Sequence, residues 1–323
     1  MGQSELQKAI EWIHNNTVDN GSGIAISNKQ KKLYPEVSGY FIPSLLNIGE
    51  IELAESFAKH LCSIQEQNGA WYDAEGETPQ IFDSGQILKG LISIRNYLPE
   101  VDKNIIRGSD WILSTINEEG RLVQPNEEGR WNDSYCNELI FIYSLSPILD
   151  SAKLFNKPEY IEKVNKVLDY YIENRYEQIV NYSLFSHFYA YVLEGLIDCG
   201  RADIASEAMN NMVKFQKKNG SIPAFCNVDW ICSTAMFQFA IIWYKLGDKK
   251  RGDLAYNYAC SLQNETGGWY GSYAPTIFSY YSNRLLTKLR LSRSMYLKKE
   301  EISWAVKFFL DATYLKNNME TRG

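Results

Sequence analysis

The chain has 323 residues, of which 45% are hydrophobic, with 39 acidic against 33 basic side chains for a net charge of −6 and a pI near 5.3. That balance lacks the basic footprint with which nucleic-acid binders neutralise phosphates, so no nucleic-acid partner is expected. No basic segment followed by an apolar core opens the chain, Leu6 stands where N-myristoylation needs Ser or Thr, and no apolar run would cross a bilayer. The expectation is a cytoplasmic protein.

Taken in order, Leu6, Ile10 and Ile13 mark a first amphipathic helix, followed by a turn at Asn20-Gly21. Residues 41–48 are then apolar on every side, as a buried helix is. The stripe beginning at Ile51 is amphipathic again and runs into the turn Gln67-Asn-Gly69-Ala-Trp71, after which 87–94 is apolar all round. Ile105, Trp111 and Ile116 trace the next striped helix, Glu119-Gly120 the next turn, and 139–149 the next buried helix. Residues 159–174 and 182–199 repeat the pair without the turn glycine. Asn219-Gly220-Ser-Ile-Pro leads to an apolar stretch at 235–246, and Gln263-Asn-Glu-Thr-Gly-Gly268-Trp269 leads, after an insertion at about 273–301, to the last one at 305–315.

The glycine turns recur at roughly fifty residues, the period of stacked helical hairpins. Striped helices alternate with wholly apolar ones, six of each, so the striped set should form an outer ring and the apolar set an inner one. The expected fold is all-α, an (α/α)6 barrel or α-α toroid of six hairpin repeats. It is expected to be one domain over residues 1–323, because no Pro- or Ser-rich linker interrupts it. Closure is favoured over an open solenoid because neither terminal unit is unusually polar, as capping repeats are.

In such a ring the residues just before each inner helix line one mouth, where helix N-termini favour anionic groups. Those segments are Tyr34-Pro-Glu36-Val-Ser-Gly-Tyr40, Phe82-Asp83-Ser-Gly-Gln86, Trp131-Asn-Asp133-Ser-Tyr135-Cys-Asn-Glu138, Tyr182-Ser-Leu-Phe-Ser-His187, Asp229-Trp230-Ile-Cys-Ser-Thr234 and Glu301-Ile-Ser-Trp304. All combine aromatic with polar or acidic residues. Glu36, Asp83, Glu138 and His187 are the candidate acid/base groups, with Tyr40 as a proton donor. Candidate substrate-binding residues are Tyr34, Gln86, Trp131, Asp133, Tyr182, Asp229, Trp230, Tyr270, Trp304 and Lys307. Single acids at these positions also serve as first-turn acids that complement the helix dipole. The tryptophans after glycine, Trp71 and Trp269, read as packing of the repeat.

Cys62, Cys136, Cys199, Cys226, Cys232 and Cys260 lack Cys-x-x-Cys spacing and read as reduced thiols. With His14, His60 and His187 as the histidines, no metal and no cofactor is expected. Within the insertion, Arg284, Lys288, Arg290, Arg293, Lys298 and Lys299 stand together with no acid among them. They form either a solvated face or a contact with a phosphate, a nucleotide-sugar or an anionic membrane surface.

The Gln-x-x-x-Gly-x-Trp pattern of Gln65 to Trp71 and Gln263 to Trp269 resembles the QW repeat of the terpenoid cyclase and protein prenyltransferase toroid superfamily. The resemblance implies a toroid. The chain has neither the Asp-x-Asp-Asp acid of triterpene cyclases nor an Asp-x-Cys with a downstream histidine. Residues 34–40, 82–91 and 301–312 look like segments of a bacterial family encoded among surface-polysaccharide genes. The first of them also resembles part of the helical domain of glucuronyl C5-epimerases. These resemblances imply a sugar, uronate, polysaccharide or nucleotide-sugar substrate, handled by metal-independent acid/base chemistry of epimerase, lyase or hydrolase type. An isoprenoid-handling cyclase or prenyltransferase-like enzyme and a non-catalytic glycan-binding or scaffold protein are the alternatives. The isoprenoid reading predicts a cavity walled by aromatics with a single acid of raised pKa.

Overall fold

The computed structural model describes residues 3–125, 135–288 and 293–320. Helix α1 (Glu5–Asn16) starts where the Ser4 side chain accepts from the Gln7 amide. It is followed by α2 (Pro35–Asn47), α3 (Ile51–Ser63), α4 (Ile81–Ile94) and α5 (Asp102–Ser114). Next come α6 (Ser146–Phe155), α7 (Pro158–Val180), α8 (Ser186–Asp198), α9 (Ala202–Met212), α10 (Ser233–Lys245) and α11 (Lys249–Cys260). An extra helix, α12 (Ile277–Lys288), precedes α13 (Ser303–Glu320). Two short antiparallel strand pairs sit in the connections, Thr17–Val18 with Gly23–Ile24 and Ile231–Cys232 with Ser272–Tyr273.

The α/α toroid anticipated from periodicity is the fold observed. α1, α3, α5, α7, α9 and α11 form the outer layer, and α2, α4, α6, α8, α10 and α13 the inner one. Most inner helices are buried far more fully than outer ones: in α10 every residue from Ser233 to Tyr244 is buried, whereas in α3 only Ala54, Phe57, Ala58 and Leu61 are. Position in the ring therefore follows from how much of the helix circumference is apolar.

The glycine turn welds neighbouring units. The Gln65 side-chain amide donates to Gly69 O at 2.9 Å and to Asn104 O of α5 at 3.0 Å, and Asn104 Nδ2 returns a bond to Gln65 Oε1 at 2.8 Å. Gly69 has φ +97°, and a Cβ there would lie 2.3 Å from Arg107 O, so only glycine lets the turn approach the next outer helix. Trp71 fills the space behind, its indole donating to Leu61 O at 2.7 Å. In the last unit Gln263 donates to Gly267 O and to Glu5 O, Gly267 abuts Lys8 O, and Trp269 donates to Ala259 O. Here Gly267, at φ +92°, is the structural counterpart of Gly69, rather than Gly268. Its outer neighbour is α1, so the motif that joins successive repeats also closes the ring.

A second closure lies deeper. Glu301, 3% exposed, accepts from Trp12 Nε1 (2.8 Å), Asn28 Nδ2 (3.3 Å), Asn264 Nδ2 (2.8 Å) and Thr266 Oγ1, joining the first unit to the last. Two expectations change. Residues 139–149 are not one α-helix: Glu138–Ser144 is a 3-10 turn, and α6 begins only at Ser146. Pro147 cannot donate back to Tyr143, but it fits the first turn of a new helix. The stretch 182–199 is helical only from Ser186. Cys226 is exposed, while Cys136 and Cys232 are buried, and all the cysteines are free thiols.

Glu301→Ala should lower unfolding free energy by about 3 kcal/mol, since a charged acceptor goes and buried donors lose their partner. Urea denaturation monitored by tryptophan fluorescence reads this directly.

Candidate active site

The inner-helix N-termini meet at a cavity of about 290 Å³. Pro35, at the first position of α2, has a fixed φ suited to starting the helix, and this sets the following Glu36 in the first turn. The Ser38 hydroxyl ties that turn to its own unit, donating to Tyr34 O and accepting from Ile24 N. The start of α4 is capped from the next unit, Gln124 Oε1 accepting from Ile81 N at 3.0 Å, and this holds Asp83 two residues later. Ser186 N bonds Ala224 O to place His187, and Ser303 N bonds Ile26 O to place Trp304.

Glu36, Asp83, His187, Tyr34 and Trp304 line the cavity, together with Phe82, Tyr135, Cys136, Ile140, Phe188, Tyr191 and Tyr296. Tyr34 and Trp304 meet edge to face at 5.9 Å and form one wall. Beneath lies an aromatic floor: Tyr191 stands 4.7 Å from Tyr143, 4.7 Å from His187 and 5.8 Å from Phe308, ring centre to ring centre.

Glu36 is 3% exposed, and burial followed by the nearby charge of Asp83 holds its carboxyl well above the usual carboxylate range. The Trp304 indole, Lys307 and the Tyr40 hydroxyl oppose that shift, yet Glu36 Oε1 makes no close hydrogen bond. The raised value favours the protonated form of Glu36 beside a second carboxyl group, an arrangement that separates acid from base. His187 Nδ1 lies 2.8 Å from Gln238 Oε1, an acceptor, so Nδ1 carries the proton and Nε2 presents a lone pair. Burial pushes the imidazole down to about 4, with Gln238 opposing and Lys307 adding to the shift.

Other anticipated residues lie elsewhere. Glu138 is held by Arg121 and Arg175, because the 3-10 turn directs Ile140 inward and leaves Glu138 facing the kink of α7 at Arg175. Gln86 is buried one turn beyond Asp83, donating to Phe82 O at 3.2 Å. Tyr182 donates to Pro223 O at 2.6 Å and packs against Tyr189 and Phe215 within its own repeat junction. Asp229 is exposed, and Trp230 is fully buried against Phe185 and Phe225, behind the wall rather than on it. Tyr270 packs against Tyr273, and its backbone pairs with Glu301. Trp131 and Asp133 lie outside the described residues.

Tyr40 and Lys307 belong to a second cavity, of about 480 Å³, at the opposite end of the barrel. Lys307 is 4% exposed, pairs with Asp311 at 2.7 Å and stacks on Phe308 and Tyr40. Sequence reasoning missed Tyr191 and Tyr296 as lining residues. Tyr191 was within reach, one helical turn after His187 on the same face. Tyr296 comes from the insertion, where no periodicity points inward. Among the described residues no three His, Cys, Asp or Glu side chains converge as a metal-ligand set.

No family model and no curated protein matches the chain. Solved structures do. A novel alpha-amylase from Clostridium perfringens is 15% identical with a TM-score of 0.71, covering 97% of this chain and 98% of its own. An unsaturated glucuronyl hydrolase specific for heparin is 13% identical with a TM-score of 0.70, covering 98% and 97%. A D-mannose isomerase is 10% identical with a TM-score of 0.66, covering 98% and 96%. At these identities the likeness establishes the α/α toroid along nearly the whole length.

The His187 ring should remain neutral, with its proton on Nδ1, as pH falls from the ordinary 6.5 toward about 4. Over that window an unfolded chain takes up the proton first, so this residue's contribution to stability is lost as the pH drops. A nitrogen-15 titration of the ring checks both; an imidazolium at pH 6 would contradict the assignment.

Proposed function

We propose that this protein is a carbohydrate-active enzyme that works on a sugar or uronate by side-chain acid/base chemistry. The observation that carries the reading is the buried Glu36 and Asp83 pair, in one cavity with aromatic walls. Glu36, protonated, is the general acid for a glycosidic or ring oxygen. Asp83 is the base or nucleophile on the other side of the reacting carbon. His187 Nε2 accepts a hydrogen bond from a substrate hydroxyl. Tyr34 and Trp304 offer apolar ring faces to the C–H side of a sugar.

The solved structures of similar fold support the substrate class, because a glucuronyl hydrolase, an alpha-amylase and a mannose isomerase all have sugar substrates by name. The stretches 34–40, 82–91 and 301–312, which look like segments of a family encoded with surface-polysaccharide genes, contribute Tyr34, Glu36, Phe82, Asp83 and Trp304 to the cavity. That coincidence supports a role in bacterial cell-surface glycan assembly. Hydrolysis, lyase-type elimination and epimerisation all draw on the same acid and base. Of the three, hydrolysis needs only these two groups and water.

One observation favours a second reading. Seven of the twelve lining residues are Tyr, Phe or Trp, and Glu36 is an acid of raised pKa, as an isoprenoid cyclase would need. The second carboxyl group, Asp83, and the neutral His187 count against it.

Glu36→Gln and Asp83→Asn should each lower kcat on a cleavable glycan by roughly 10²–10⁴-fold. In the wild type, activity should fall as pH rises through the raised pKa of Glu36, because the acid form disappears. Reducing-end release from uronate-containing oligosaccharides measures both. Thermal stabilisation by prenyl diphosphates but not by uronates or nucleotide-sugars would overturn the sugar reading.

A further inference from the structure

The insertion before α13 carries a surface that the proposed chemistry does not use. Between Ala274 and Lys299 it has six basic residues and no acidic one, in a chain of net charge −6. The remainder of the chain is therefore at −12 (−6 less +6). On α12, Ile277 is 78% exposed, Tyr281 60% and Leu285 60%. Residues four apart share a helix face, so these form one apolar stripe, and Lys288 joins it by register and is exposed. Asn283, on the other side of the helix, is buried and donates to Arg293 O at 3.1 Å, fixing which face points outward. Leu286, 38% exposed, adjoins the stripe, whereas Tyr97, Leu154 and Leu254 lie far from it in the sequence.

An apolar stripe flanked by cations and free of acids is the combination that settles into a bilayer interface containing anionic headgroups. A second copy of the chain fits poorly, because a two-fold contact would bring together two copies of a segment that is basic and free of acids. We propose that α12 and the basic residues that follow it dock this protein on an anionic lipid surface. No helix among the described residues is long and apolar enough to cross a membrane, so the contact is peripheral. The acidic remainder is repelled by the same headgroups and orients the molecule with the insertion downward. Tyr296, from the same insertion, lines the cavity, so docking brings the mouth close to the lipid.

The test is co-sedimentation of the full chain with vesicles of phosphatidylcholine alone or with added phosphatidylglycerol. Binding should be roughly tenfold or more stronger with the anionic lipid, and high salt should reverse it. The triple variant Ile277→Ser, Tyr281→Ser, Leu285→Ser should lose about tenfold of that binding, and Lys288→Glu should weaken it. Both variants should keep the wild-type unfolding midpoint, since the altered residues are exposed. Equal binding to both lipids, no binding to either, or a triple variant that sediments like the wild type would each overturn the proposal. A concentration-dependent dimer abolished by the triple variant, without vesicle binding, would assign the face to a second copy instead. Glycan turnover without vesicles should be unchanged in the triple variant, so this surface and the sugar reading stand or fall separately.

Discussion

Everything at the cavity depends on the ring being shut, and Glu301 is the buried charge that shuts it. A carboxyl group 3% exposed, with no cation bonded to it among the described residues, is tolerated because four donors from distant parts of the chain converge on it. Trp12 and Asn28 come from the first unit, Asn264 and Thr266 from the last. The cavity borrows from the same two places, with Tyr34 and Glu36 at the start of α2 and Trp304 on α13. Opening the ring would separate the acid from one of its walls, so closure sets site geometry as well as stability.

The axis of the barrel is where the fold stores its polar cost. Glu36 Oε1, Gln86 Oε1, Tyr191 Oη and Gln238 Nε2 are buried on inner helices and lack close hydrogen bonds. Each such group would be more stable in water or paired, by about 1–3 kcal/mol. Outer helices carry most of their polar groups into solvent, although Asn104 Oδ1 on α5 and Tyr171 Oη on α7 are buried in the same way. Those that line the cavity, Glu36 and Tyr191, are where a ligand's hydroxyl groups would find partners.

Fold and mouth were legible in the sequence because both rest on periodicity. Apolar circumference separated inner from outer helices, and counting back from each inner helix found Glu36, Asp83, His187, Tyr34 and Trp304 in their cavity positions. The same counting misplaced Glu138, since Pro147 breaks the third inner helix and shifts which residue turns inward. It also misplaced Trp230, whose indole packs sideways onto Phe185. Side-chain direction in an irregular connection depends on neighbours remote in sequence, and no local pattern encodes them. The Gln-x-x-x-Gly-x-Trp signature proved to be the joint between repeats, with Gln65 and Gln263 each gripping the following outer helix.

The aromatic floor has a consequence for traffic. Tyr191, Tyr143 and Phe308 are all at most 2% exposed and stand between the front cavity and the one at the far end. Among the described residues the two cavities are thus separate, and the front one is a blind well. Under the proposed sugar reading, a glycan chain would reach Glu36 by its terminus rather than by its middle.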